Sequence, residues 1–312
     1  MGFKRLQRAW LTVFVLSGCV ASQPDVHRAP EVVPKQRGAV SEIPLPVPVF
    51  LDILTRRGIR FETGDMLAVR VVSAFGAIFA AEGNVTVPEV WMFPDEKAVS
   101  AFQEEIVVDG SSKRGSSIQL QKSALSEFEA ARREANGAGS SITPAGPFAA
   151  RRSYHGTVDL WNSRLLPGLR YWVDSGRLQQ RDADRVLALD TRDQIEAVLK
   201  LEERGLWFSL DHKKSILYSV AAPGTSQHLS MLALDVEEHD TPAVRSILVR
   251  HGWYQTVYSD LPHFTFLGVP ESRLPGMGLE ARKNAGRTFW VVQVPKSRGA
   301  DVELEIGDTC AF

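Results

Sequence analysis

Four residues between positions 221 and 268 have the types and spacing of a catalytic metal site. His228 is followed seven residues later by Asp235, and His263 comes after a gap long enough for a helix. Two neutral imidazoles and one carboxylate are a common ligand set for catalytic Zn²⁺, which keeps a fourth position open for water. Asp260, three residues before His263, could take a proton from that water. The residue types therefore predict a zinc-dependent hydrolytic site.

A chance grouping is the simpler alternative, because seven histidines in 312 residues will place some His near Asp. The local sequence favours the metal site. The pattern Ser-x-His-x-x-Gly-x-Ala-x-Asp is matched at four of its five named positions, by Ser226, His228, Ala233 and Asp235. A Pro-Gly pair at 223–224 precedes them. This pattern resembles the first motif of the D-alanyl-D-alanine carboxypeptidase and dipeptidase family of zinc peptidases, which trim cell-wall peptides.

The second motif of that family is Glu-x-x-His followed by an aromatic residue, and here Asp260, His263 and Phe264 occupy its positions. The resemblance implies that His228, Asp235 and His263 bind Zn²⁺, that Asp260 acts as the catalytic base, and that the substrate is a peptidoglycan stem peptide. It also implies a substrate-binding role for Ser226.

Two residues depart from the family pattern. Met231 stands where the family has Gly, which removes backbone freedom and adds bulk close to the metal. Asp260 stands where the family has Glu, and its side chain is one methylene shorter. These departures bear on catalysis more than on metal binding.

Arg152 is the candidate for substrate recognition. It begins an Arg-Ser-Tyr sequence at 152–154, which resembles the family's substrate-binding Arg-Ser-Tyr, although Thr157 replaces a Gln often found three residues after the Tyr. A guanidinium can hold a terminal carboxylate through two parallel hydrogen bonds. The alternative is a surface Arg at the start of a helix.

The first residues resemble a bacterial lipoprotein signal. Three basic residues among the first eight precede an apolar run at 9–16, too short to span a bilayer, and the run leads into Leu-Ser-Gly-Cys at 16–19. This order predicts a signal peptide at 1–18, lipidation of Cys19, export, and a lipid anchor facing the periplasm or cell envelope. The alternative is an ordinary secretory signal that contains a Cys. No later stretch is apolar enough to predict a transmembrane helix.

Composition limits the partners. Without residues 1–18 the chain keeps 33 of its 36 basic residues and all 37 acidic ones, a formal charge of −4. A nucleic-acid partner is not expected, since it would favour a basic patch. If Cys19 is acylated, Cys310 is the one remaining cysteine and no intramolecular disulfide is possible.

The predicted organisation is a Pro-rich tether at 19–48, a small α/β region at 49–115, a zinc peptidase-like domain at 116–270 and a C-terminal extension at 271–312. A helical insertion at about 158–207 interrupts the main domain. The fold class is α+β, a small antiparallel sheet with flanking helices. Periodicity predicts helices at 50–57, 65–81, 96–105, 119–136, 160–172, 182–189, 191–203 and 242–251. Strands are expected at 84–93, 140–143, 232–236, 255–258, 264–267 and 287–294.

Two other functions stay open at this level. Met231 and Asp260 could mark a catalytically degenerate descendant that binds cell-wall peptide or a protein partner. The fold could also be purely structural, without a metal. The sequence does not separate carboxypeptidase, dipeptidase and endopeptidase activity.

Overall fold

Eight α-helices and seven short strands make up the part of the chain that the computed structural model describes, residues 49–110 and 118–293. The predicted signal peptide, Cys19, the tether and the residues after 293 lie outside these ranges. The helices are α1 Val49–Arg56, α2 Met66–Phe75, α3 Glu96–Ile106, α4 Lys122–Gly137, α5 Tyr154–Asp174, α6 Gln180–Leu187, α7 Thr191–Glu203 and α8 Pro242–Arg250. The strands are β1 Val107–Gly110, β2 Ile118–Gln121, β3 Ala233–Asp235, β4 Trp253–Tyr254, β5 His263–Phe266, β6 Leu279–Asn284 and β7 Arg287–Val292. The structure is therefore mixed α+β, which confirms the predicted class.

A three-stranded antiparallel sheet in the order β3-β5-β4 carries the candidate site. The strands β3 and β5 pair so that Asp235 lies directly opposite His263. Directly opposed residues on antiparallel strands have Cβ atoms about 5 Å apart on one face. The register alone therefore makes neighbours of two residues that are far apart in sequence. The pairs β1-β2 and β6-β7 form two separate antiparallel hairpins.

The larger hydrophobic core lies against this sheet. It combines Phe50 of α1, Phe128 of α4, Leu248 of α8 and the strand residues Trp253 and Phe264, all of them fully or almost fully buried. The rings of Phe128 and Trp253 meet edge to face with centroids 6.5 Å apart. This core therefore joins the sheet to helices that are far apart along the chain.

A second hydrophobic cluster joins the helices α5, α6 and α7 to α2. Trp161, Leu165 and Ile195 are completely buried in it, and Val71 of α2 belongs to the same cluster. The predicted helical insertion therefore shares a core with an element that precedes it by about 90 residues. No helix in the described ranges combines the length and the apolar character needed to cross a membrane.

Side chains cap the N-termini of several helices. The Asp95 carboxylate accepts a hydrogen bond from the backbone N–H of Ala98 at 2.8 Å and so caps the start of α3. Thr241 precedes α8, and Pro242 occupies its first turn. The helix predicted at 65–81 ends at Phe75 and continues as a 3₁₀ helix, Gly76–Ala80.

Three predicted strands, at 84–93, 140–143 and 255–258, are wrong. Residues 84–93 form no strand, because the side chain of Gln121 takes both backbone groups of Thr86, accepting from its N–H at 2.8 Å and donating to its C=O at 2.7 Å. Residues 140–143 form none either, since the Glu238 carboxylate accepts from the backbone N–H of Thr143 at 2.7 Å. The backbone then makes an isolated bridge between Pro144 and Val236.

Other boundaries shift because of pairing across the chain. The helix predicted from 119 begins at Lys122, since 118–121 pair with β1 instead. Residues 255–258 form no strand, because β4 ends at Tyr254 and the C=O of Gln255 accepts from Trp290 instead of continuing the ladder. The strand β6 has no counterpart among the predictions.

Candidate metal centre

His228, Asp235 and His263 converge at one point. Each offers one ligand atom, and the three atoms lie within 4.8 Å of one another. The Asp235 Oδ1 lies 3.3 Å from Nε2 of His228 and 3.2 Å from Nδ1 of His263. The imidazole planes are nearly perpendicular, at 82°, with centroids 4.9 Å apart. The three residues predicted as ligands are therefore brought together and could hold a metal ion.

The local backbone positions His228 beside the sheet. His228 lies in a 3₁₀ turn, Gln227–Ser230, and Met231 ends that turn in the left-handed conformation with φ 54° and ψ 31°. The chain then enters β3. Ahead of the turn, Gly224 has φ +76° and its C=O accepts from the backbone N–H of Phe93. A Cβ at 224 would lie 2.2 Å from the Phe93 oxygen, so this contact requires glycine.

Carbonyl oxygens engage the outer nitrogen of each histidine. His228 Nδ1 lies 3.1 Å from the Ala150 carbonyl oxygen, and His263 Nε2 lies 2.9 Å from Oε1 of Gln227. Because a carbonyl oxygen only accepts hydrogen bonds, each outer nitrogen carries the proton of the neutral ring. The inner nitrogens then present lone pairs to a carboxylate. Three electron-pair donors facing one point fit a bound cation.

Burial keeps these groups in the forms that bind metals. It lowers the pKa of the His228 imidazole below the ordinary 6.5, although the Asp235 carboxylate opposes this shift. Burial alone would raise the pKa of Asp235, but the charges and hydrogen bonds of His228 and His263 outweigh it and hold that pKa well below its usual range. At neutral pH the site therefore offers a neutral imidazole and an ionised carboxylate.

Arg152 and Ser226 lie next to this group. Arg152 Nη1 donates to Ser226 Oγ at 3.3 Å. Burial lowers the pKa of the Arg152 guanidinium, the Asp235 and Asp260 carboxylates oppose that shift, and the group remains charged at neutral pH. Within the described ranges this is its one side-chain hydrogen bond, so most of its N–H donors remain available to a ligand.

Asp260 lies near the metal group but is not one of its three members. It interacts electrostatically with Arg152 and with His239. Its backbone N–H donates to the Val257 C=O at 3.0 Å, which makes a turn before β5. The shared contact with Arg152, which also interacts with Asp235, places the Asp260 carboxylate on the same side of the molecule as the metal group.

A groove of about 800 Å³ runs beside the segment 149–152. That segment also serves the metal group, since the Ala149 and Ala150 carbonyls accept from Asp235 N and from His228. Phe148 borders the groove and is 70% exposed. Further lining residues are Thr143, Pro144, Arg152, Asp159 and Glu237. The groove has room for several residues of a peptide.

Gln227 is the residue of this site that the sequence did not indicate. It is 1% exposed and touches His263 from 36 positions away. Its one sequence signal is that it adjoins His228, which by itself carries no chemistry. His251, another histidine in the same stretch, is engaged elsewhere, between Glu127 at 2.9 Å and Glu134 at 3.0 Å.

Comparisons with protein-family models and with curated proteins gave no match. The resemblance to the D-alanyl-D-alanine peptidases therefore rests on the motif residues themselves.

Proposed function

We propose that this chain is a zinc-dependent peptidase that hydrolyses peptidoglycan stem peptides, of the D-Ala-D-Ala carboxypeptidase type. One observation carries the proposal: three ligand atoms of His228, Asp235 and His263 lie within 4.8 Å of one another, at positions that match the family's zinc-binding motifs. The second support is that both outer histidine nitrogens face carbonyl oxygens.

The donor set suits Zn²⁺. Imidazole nitrogen and carboxylate oxygen are its usual ligands, whereas Mg²⁺ and Ca²⁺ prefer oxygen alone. When bound, Zn²⁺ would polarise the peptide carbonyl and make water a stronger nucleophile. Three protein ligands leave a position for the reacting groups.

The remaining residues divide the other tasks. Arg152 would bind the terminal carboxylate of the peptide, and Ser226 would orient the guanidinium through their 3.3 Å hydrogen bond. Asp260 would accept a proton from the attacking water and pass it to the leaving amine. The groove beside 149–152 would take the rest of the stem peptide.

The proposal includes export and a lipid anchor on Cys19. Its support is the basic start, the apolar run and the Leu-Ser-Gly-Cys sequence at 16–19. A Pro-rich segment at 19–48 would hold the enzyme away from the membrane surface, within reach of the cell wall.

A second candidate is a degenerate relative that keeps the metal and binds cell-wall peptide without cutting it. The observation that favours it is Met231, which is fully buried and holds a left-handed conformation where the family has glycine. Asp260, which is one methylene shorter than the Glu of the family pattern, also favours this candidate.

Metal content tests the proposal first. Zinc per chain would be measured for the purified parent, for His263→Ala and for the control His251→Ala, all prepared without chelators and then supplied with zinc. About one zinc is expected in the parent and the control, and much less in His263→Ala, because two ligands hold the ion far more weakly than three. Parent protein that binds no zinc would overturn the enzyme proposal.

A further inference from the structure

Gln227 occupies a buried position beside the metal group and has no part in the proposed chemistry. Its Oε1 faces His263 Nε2 at 2.9 Å, on the side of the ring away from Asp235. We infer that Gln227 is a positioning residue, which fixes His263 in the tautomer and ring orientation needed to bind the metal. The inference rests on the metal site proposed above and names a residue that the family motif leaves unspecified.

The orientation of the Gln227 amide follows from its partners. Its Nε2 lies 2.8 Å from the Phe75 carbonyl oxygen, an acceptor that requires an N–H. The NH₂ end therefore faces Phe75, and Oε1 must face His263. A flipped amide would set Oε1 against the Phe75 carbonyl oxygen, so that two acceptors faced each other. The Phe75 backbone lies at the start of a buried 3₁₀ helix.

Two threonines close a ring of hydrogen bonds around this amide. Gln227 Nε2 donates to Thr256 Oγ1 at 3.2 Å, the Thr256 and Thr265 hydroxyls are 2.6 Å apart, and Thr265 Oγ1 donates to Gln227 Oε1. Thr256 Oγ1 also lies 3.3 Å from Gln227 Oε1, so a threonine hydroxyl donates to Oε1 whichever way the pair of hydroxyls is oriented. The two threonines and the amide are almost completely buried, which makes any broken bond costly.

This ring of hydrogen bonds makes His263 Nε2 a hydrogen-bond donor. Oε1 already accepts from Thr265 and takes a second hydrogen bond from His263 Nε2. The proton of the neutral imidazole therefore sits on Nε2, and the Nδ1 lone pair points toward Asp235. A residue that holds a ligand in this way commonly changes metal affinity by about 10–100-fold when it is removed.

The test uses the full purified chain and two readouts. In the metal-free parent, long-range ¹H–¹⁵N NMR of the imidazoles reports which nitrogen of His263 carries the proton. Zn²⁺ affinity is measured by competition with a chelator for the parent, Gln227→Met, Gln227→Glu and the control Gln121→Met. Gln121 is a matched control, because it is 3% exposed and, among the residues that the structure describes, its side chain bonds backbone groups of Thr86 and Ser230 and not the metal group.

The proton is expected on Nε2 in the parent. Gln227→Met should weaken Zn²⁺ binding about 10–100-fold, since methionine has similar volume but no carbonyl acceptor. Gln227→Glu keeps an acceptor opposite Nε2 but loses the donor to the Phe75 carbonyl, so its affinity should lie between those of Gln227→Met and the parent. Gln121→Met should leave the affinity unchanged.

A proton on Nδ1 of His263 in the parent would overturn the inference, as would parent-like affinity in Gln227→Met. If Gln227→Met does not fold, the parent spectrum alone decides. Failure of the proposed function is a separate result, because a parent that binds no Zn²⁺ still reveals its tautomer.

Discussion

Met231 shows at the scale of one residue how the site departs from the family pattern. It is fully buried and has φ 54°, a conformation that costs a residue with a Cβ about 1–2 kcal/mol. It ends the turn that carries His228. A strained residue next to ligands is held there by the packing around it.

Replacing Met231 by Gly and by Ala separates strain from packing. Both variants lose a buried side chain, which costs about 2–5 kcal/mol for Met→Ala. Gly alone relieves the left-handed strain. We therefore expect the parent to be the most stable, and the free energy of unfolding of Met231→Gly to exceed that of Met231→Ala by about 1 kcal/mol. Urea unfolding of the three proteins measures their free energies of unfolding and so gives the order of stability. An alanine variant as stable as the glycine variant would show that φ at 231 is not strained.

Asp260 is the residue on which catalysis depends in the proposed mechanism. Asp260→Ala removes the proton acceptor and should lower the release of D-Ala from a stem pentapeptide by about 10²–10⁴-fold. Zinc content should stay at the parent level, because Asp260 is outside the ligand group. Full activity in this variant would remove Asp260 from the mechanism, and inactivity of the parent itself would favour the binding module.

At the scale of elements, the site depends on a loop held against the segment before α3. Gly224 accepts from Phe93 N, and its own N–H donates to Thr157 Oγ1 at 3.2 Å. Thr157 lies in α5, where the family often has Gln. Its hydroxyl therefore anchors the chain just before Ser226.

Gly224→Ala tests this anchoring, with Gly139→Ala as its control. Both positions have nearly the same positive φ, +76° and +74°, but no atom lies within 4 Å of a Cβ at 139. The control should lose about 1 kcal/mol from strain, and Gly224→Ala about 1–3 kcal/mol more, because the new Cβ meets the Phe93 carbonyl. Denaturant unfolding compares the two. Equal losses would mean that the loop moves away freely.

At the scale of the whole molecule, a buried ion pair links α2 to α7. Glu202 of α7 is 1% exposed, accepts from Ser215 Oγ and from Ile216 N at 2.6 Å each, and pairs with Arg70 of α2 at 3.1 Å. Burial raises the pKa of Glu202 above its ordinary 4.5, although these partners oppose the shift.

This raised pKa predicts the sign of a pH effect. Between pH 4.5 and the higher pKa of the folded state, the folded protein binds more protons than the unfolded chain, so stability falls as pH rises. Glu202→Gln removes this contribution and should flatten the fall. The exposed neighbour provides the control, Glu203→Gln, which should keep the parental slope. Urea unfolding between pH 4.5 and neutral pH measures how the free energy of unfolding changes with pH. Identical slopes in all three proteins would contradict the raised pKa of Glu202.

The sequence by itself determined the features whose causes are local. The helix at 191–203 is predicted to the residue, because the Asp190 carboxylate caps it and apolar residues recur along one face. The ligand types and their spacing within two short motifs also indicated the metal group, since His228 and Asp235 are seven residues apart and His263 follows Asp260 by three.

Only the tertiary structure decided which distant groups meet. The residues at 84–93 have the composition of a strand, yet a glutamine side chain takes the backbone bonds that a strand would use. Gln227 reaches His263 only because the turn before β3 packs under β5. Hydrogen bonding to a side chain depends on which segments pack together, and no local pattern of residue types encodes that choice.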